Sequence, residues 1–125
     1  MRVEYYPNDL APVSGSHLQG HQEASYDQLV KLFGEPNDFG DGDKVHMEWI
    51  ITFDLYDDDG VDFESHTATI YDWKESSDAA RYVSSYNWHN GGFSKDAAHL
   101  VSDLIIDDTF GNNSSFYGKF RRVRS

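Results

Sequence analysis

Apolar residues between positions 25 and 36 recur with a helical period. Tyr26, Leu29, Val30 and Phe33 fall at i, i+3, i+4 and i+7, which puts them on one face of a helix. Ser25 stands at the N-cap with Gln28 three residues on, the capping-box spacing, and Asp27 suits the positive end of the helix dipole. Gly34 can take the left-handed position that ends a helix, and Pro36 prevents continuation. After a turn at Asn37–Asp43, rich in glycine and aspartate, the period changes to two. Val45, Met47, Trp49, Ile51, Phe53 and Leu55 line one face of a strand, with Lys44, His46, Glu48, Thr52 and Asp54 on the other. A second strand is expected over His66–Lys74, where Thr67, Thr69, Ile70, Tyr71 and Trp73 have high strand propensity. Asp57-Asp58-Asp59-Gly60 between them reads as the tip of an antiparallel hairpin.

The rest of the chain is less regular. Asp78–Ser84 is expected to be a short helix, and Trp88-His89-Asn90-Gly91-Gly92 reads as a loop because of its glycines. A final helix begins at N-cap Ser94 and places Ala97, Leu100, Val101, Leu104 and Ile105 on one face. Asp107 and Asp108 oppose the dipole at a C-terminus, so the helix is expected to end near them. Gly111–Ser115 is a polar loop, and Phe116–Val123 is either an edge strand or a loose basic tail. Residues 1–24 hold two of the three prolines and no periodicity, which predicts an irregular arm with at most a short edge strand at Val3–Tyr6. The pattern as a whole predicts an α+β fold: a small antiparallel sheet with two main helices packed on one face. It comprises an arm over 1–24, a single domain over 25–118 and a basic tail over 119–125.

Composition narrows the function classes. A chain of 125 residues fits one core, and an aromatic content of 15% supplies much of its area. The absence of cysteine excludes disulfides, thiolate catalysis and cysteine-ligated zinc. No apolar run approaches the roughly 20 residues of a membrane span, and Met1–Gly20 lacks the apolar centre of a signal peptide, so a cytoplasmic location away from membrane is expected.

Charge changes the picture most. Of 22 acidic side chains 16 are aspartate, and Lys119, Arg121, Arg122 and Arg124 put four of the ten basic residues in the last seven positions. Residues 1–118 thus set six basic against 22 acidic side chains, a net −16 beside a +4 tail. Such a body repels nucleic acid and attracts cationic surfaces over roughly a Debye length of 8–10 Å. Solubility or salt adaptation would produce the same excess.

Enzymatic signatures are missing, and no cofactor is expected. The serines form no Gly-x-Ser-x-Gly elbow, and no phosphate-binding or dinucleotide pattern occurs. A calcium-loop alignment on Gly60 places Asp57 and Asp59 correctly but puts Leu55 and His66 at the outer ligand positions, so it fails at both ends. His46, Glu48 and His66 would bind a metal only if they converged, and an exposed polar sheet face is the simpler expectation; no metal site is predicted. Tyr86, Trp88, His89, Gly91, Gly92 and Phe93 form a candidate ligand loop, with aromatics for stacking and glycine amides for an anion; the alternative is a core plug.

Four segments carry a likeness: Tyr26–Pro36, Lys44–Phe53 with its Glu48-Trp49, Ala68-Thr69-Ile70-Tyr71-Asp72-Trp73-Lys74, and Trp88–Gly92 before a helix. Together they resemble small bacteriophage-encoded proteins of unknown function, over about residues 25–105. That group has no assigned activity, so the resemblance transfers no site. A phage origin would imply the host cytoplasm, where small acidic phage proteins often imitate the charge of DNA.

The expectation is therefore a non-enzymatic, anti-CRISPR-like or DNA-mimic inhibitor that occupies the basic surface of a host nucleic-acid-binding or defence protein, without binding nucleic acid itself. Asp54, Asp57, Asp58, Asp59, Asp62 and Glu64 would form its contact surface, with Asp38, Asp41 and Asp43 as a second acidic group. A nucleotide-signal sponge and an oligomerising structural module are the alternatives.

Overall fold

A computed structural model describes residues 2–37, 44–61, 63–75, 77–111 and 116–123. Among these residues six strands and two helices follow in the order β1 (Arg2–Pro7), β2 (His17–Ala24), α1 (Tyr26–Phe33), β3 (Glu48–Tyr56), β4 (Phe63–Tyr71), β5 (Tyr86–Gly92), α2 (Lys95–Phe110) and β6 (Lys119–Arg122). The strands form one sheet in the order β2-β5-β4-β3-β1-β6. All pairings are antiparallel except β1 with β6, so the sheet is mixed, and it is larger than the small antiparallel sheet expected from the pattern.

Helix α1 forms with the expected caps, although Leu32 is buried and Val30 only half-buried. The Ser25 hydroxyl accepts the Gln28 N–H at 3.0 Å, and Gly34, at φ +84°, donates its N–H to the Val30 carbonyl. The period-two run also forms its strand, displaced to Glu48–Tyr56, and its partner lies at Phe63–Tyr71. Trp49, Ile51 and Phe53 are fully buried, with Ile70 and Ala68 opposite the first two.

Two tryptophans tie α1 to this core. The Trp49 indole N–H donates to the Gly34 carbonyl at 2.8 Å, and that of Trp88 to the Ala24 carbonyl at 2.9 Å. The helix is thus held just beyond both ends, and the two rings meet edge to face at 5.3 Å.

Residues 2–24 depart from the expected arm. Val3–Tyr6 belongs to β1, which lies between β3 and β6 rather than at an edge, and β2 forms the far edge of the sheet. The connection between them crosses the sheet face. The Asn8 amide donates to Thr52 Oγ1, Pro12 lies near Ser65 and Thr67, and Gly15 approaches Phe93. Strand β2 escapes the pattern because its inward residues are Gly20, Gln22 and Ala24. Buried Gln22 donates to the Asn90 side chain and the Ala98 carbonyl, replacing apolar contact with hydrogen bonds.

The Trp88–Gly92 loop expectation is overturned for a related reason: this segment is β5, an internal strand. Its glycines admit neighbours at close range. A Cβ on Gly92 would lie 2.4 Å from the Ala97 Cβ, and one on Gly91 2.6 Å from Thr69 Oγ1. Helix α2 packs flush on the sheet through small residues, Ala97 over Gly92 and Ala98 over Gly20.

Three smaller elements complete the comparison. The helix expected at Asp78–Ser84 is only a 3-10 turn at Ala79–Arg81. Helix α2 runs past Asp107 and Asp108 to Phe110, since Lys31 pairs with Asp108 at 2.8 Å and Gln28 donates to it, offsetting the dipole penalty. Residues 119–122 form an edge strand, the first of the two alternatives expected for this segment.

Asp107 keeps an electrostatic penalty. Burial, then the neighbouring carboxylates of Asp103 and Asp108, push its carboxyl above the usual range. A carboxyl whose folded value exceeds its unfolded one destabilises the fold once pH rises through that interval. Asp107→Asn is therefore expected to raise the melting temperature at about pH 7, and the gain should vanish at about pH 3, where both side chains are neutral. Thermal denaturation at the two pH values checks this; an equal gain at both would contradict the electrostatic cause.

Candidate functional site

The β3–β4 register sets Tyr56 opposite Phe63, which makes Asp57, Asp58 and Asp59 the exposed hairpin tip. The Gly60 N–H closes the turn on the Asp57 carbonyl at 2.9 Å, and Gly60 has φ +71°, which favours glycine. The Asp59 carboxylate accepts the Val61 N–H at 2.9 Å. Arg2 lies over the Tyr56 ring at 4.2 Å and beside Gly60, which brings a positive side chain to the root of the tip.

Of the other expected contact residues, Asp54 and Glu64 do not extend this tip. Asp54 is buried and accepts the Ser65 hydroxyl at 2.5 Å, so its carboxylate is turned inward. Sequence alternation placed it on an outward face; the connection after β1 crosses that face. Glu64 is exposed, but its carboxylate lies 2.6 Å from His66 Nε2. Asp38, Asp41, Asp43 and Asp62 lie outside the described residues. In the basic segment, Lys119 aligns with Arg2 and Arg121 with Glu4 along β1.

The expected ligand-loop residues take separate places. Trp88 is fully buried, and Gly91 and Gly92 pair with β2 on one side and β4 on the other, so their backbone belongs to the ladder. Phe93 is exposed, and Tyr86 packs on Trp88 at 4.8 Å. His89 points to the opposite face from Trp88, where it meets His21 at 4.6 Å, Tyr71 at 5.5 Å and Trp73 at 5.7 Å. Burial, then His21, pushes the His89 imidazole below its usual value. Residue spacing could not reveal this cluster, because it needs the β2–β5–β4 order.

His46, Glu48 and His66 do not converge. His46 lies 3.6 Å from Asp72, Glu48 aligns with Tyr71, and His66 aligns with Phe53 further along β4. His66 instead joins Glu64 and Asp96, whose ligand-capable atoms all lie within 4.8 Å of one another. Strand β5 ends opposite Ala68, so β4 continues past it and leaves a notch. A cavity of about 170 Å³ there is lined by Pro12, Ser65, His66, Thr67, Phe93 and Ser94, among others. The expected strand began at His66 and left Glu64 in the hairpin, and Asp96 is remote in the chain, so spacing did not bring the three together.

No helix of the described residues is long and apolar enough to cross a membrane. No protein-family model matches the chain, and neither a curated protein nor a solved structure matches it.

Proposed function

We propose that this chain is a non-enzymatic binding protein whose aspartate tip docks on a cationic groove of a protein partner, in the place of a polynucleotide. The observation that carries the reading is the tip itself: three consecutive exposed aspartates on a hairpin, in a chain of net charge −12. The tip is supported by β3 and β4, so its charges are presented with little ordering cost on binding. Complementary charge speeds encounter and excludes acidic partners. The contact surface centres on Asp57, Asp58 and Asp59, with Asp54 serving the fold instead. We further infer that both helices share the face bearing Trp49 and Trp88, which leaves the hairpin unobstructed. A phage origin, with a host nucleic-acid-binding or defence protein as the partner, agrees with the likeness of the four segments.

The triple variant Asp57→Lys, Asp58→Lys, Asp59→Lys is expected to retain its melting temperature within a few degrees. It should lose at least about tenfold in affinity for a cationic partner. Pull-down from host lysate at low and high salt, with duplex DNA as competitor, provides the check. Capture that salt and DNA release from the parent chain should be missing with the variant. Equal capture by both would remove the reading.

A further inference from the structure

We propose that Glu64, His66 and Asp96 form a binding site for a divalent first-row transition ion, with zinc the best fit to the donor set. This goes beyond partner binding and does not depend on it. Glu64 and His66 are two residues apart on β4, so they project from the same face, and Asp96 enters from the first turn of α2. The Ser94 hydroxyl accepts the Asp96 N–H at 3.3 Å, which anchors that turn.

Ligand atoms within 4.8 Å of one another need only small side-chain rotations to reach metal–ligand distances of about 2.0–2.2 Å. The His66 ring is mostly buried, with 16% of its side chain exposed, and its Nε2 already faces the Glu64 carboxylate at 2.6 Å. An ion bridging the two would replace that hydrogen bond without reorienting the ring.

Charge favours occupation. Two carboxylates meet here beside at most one imidazolium, and the chain is strongly negative. A dication would relieve their repulsion. The imidazole nitrogen selects a transition ion over calcium or magnesium. Three protein ligands leave a fourth position for water or a small oxygen donor, and His66 also lines the 170 Å³ notch.

Calorimetric titration of the untagged chain with zinc chloride at about pH 7.5 tests the site. One ion per chain should bind, and His66→Ala and Asp96→Asn should each weaken binding by at least about tenfold. His21→Ala removes one ring of the other close histidine pair, His21 and His89, and should leave the affinity unchanged. Calcium in tenfold excess should not displace zinc. The proposal is overturned if the parent chain binds no zinc up to about 1 mM, a free energy near −4 kcal/mol. It is equally overturned if binding survives both site variants, follows His21→Ala, or yields to calcium. Asp96 is an exposed helix residue, so Asp96→Asn gives a folded test even if His66→Ala does not.

Discussion

Asp72→Ala is expected to destabilise the fold by about 2–4 kcal/mol, a larger loss than any surface carboxylate should produce. Asp72 is fully buried, and its carboxylate accepts the N–H groups of His46 and Met47 at 2.7 and 3.1 Å. Those two amides precede β3, and the Asp72 N–H in turn reaches the Met47 carbonyl at 3.4 Å. Alanine would leave the buried Met47 N–H and the part-buried His46 N–H without their acceptor. Asp72→Asn keeps one oxygen acceptor and the shape, so its cost should be near 1 kcal/mol. Urea denaturation of both variants checks the ordering. Equal losses would mean that charge, rather than hydrogen bonding, holds the start of β3.

Gly92→Ala should be similarly severe, at about 3 kcal/mol. The added methyl would meet the Ala97 Cβ at 2.4 Å and the Thr67 carbonyl at 3.1 Å, so α2 must lift from the sheet. Its partner substitution gives a sharper test. Ala97→Gly alone should cost about 1 kcal/mol, the penalty of glycine in a helix. In combination with Gly92→Ala it should recover part of the loss, so the double variant should be more stable than Gly92→Ala. Additive losses in denaturant melts would show that the helix does not rest on this contact.

The two predictions rest on residues that read very differently in the sequence. Asp72 looks like one acid among 22, and Gly92 looks like a loop breaker. Asp72 acquires its role from a partner remote in the chain, the start of β3, and Gly92 from the first turn of α2, which follows closely in the chain but folds back over the strand. The candidate sites divide in the same way. Local turn chemistry located the Asp57–Asp59 tip, since Gly60 and the flanking alternation are enough to define a hairpin. The inward turn of Asp54 and the meeting of Glu64, His66 and Asp96 were invisible to spacing, because both depend on segments that arrive from elsewhere.

Helix α1 and the β3–β4 hairpin were readable from the chain alone, because caps, periodicity and turn residues act between neighbours and all agreed. The mixed six-stranded sheet was not. Strands β2 and β5 turn glycine, glutamine, asparagine and alanine inward, and these residues become core-forming only when α2 presses against them. Hydrophobic patterning reports contact with a generic apolar interior. It carries no information about a close backbone approach or a buried amide network, whose stabilisation exists only once both partners are in place.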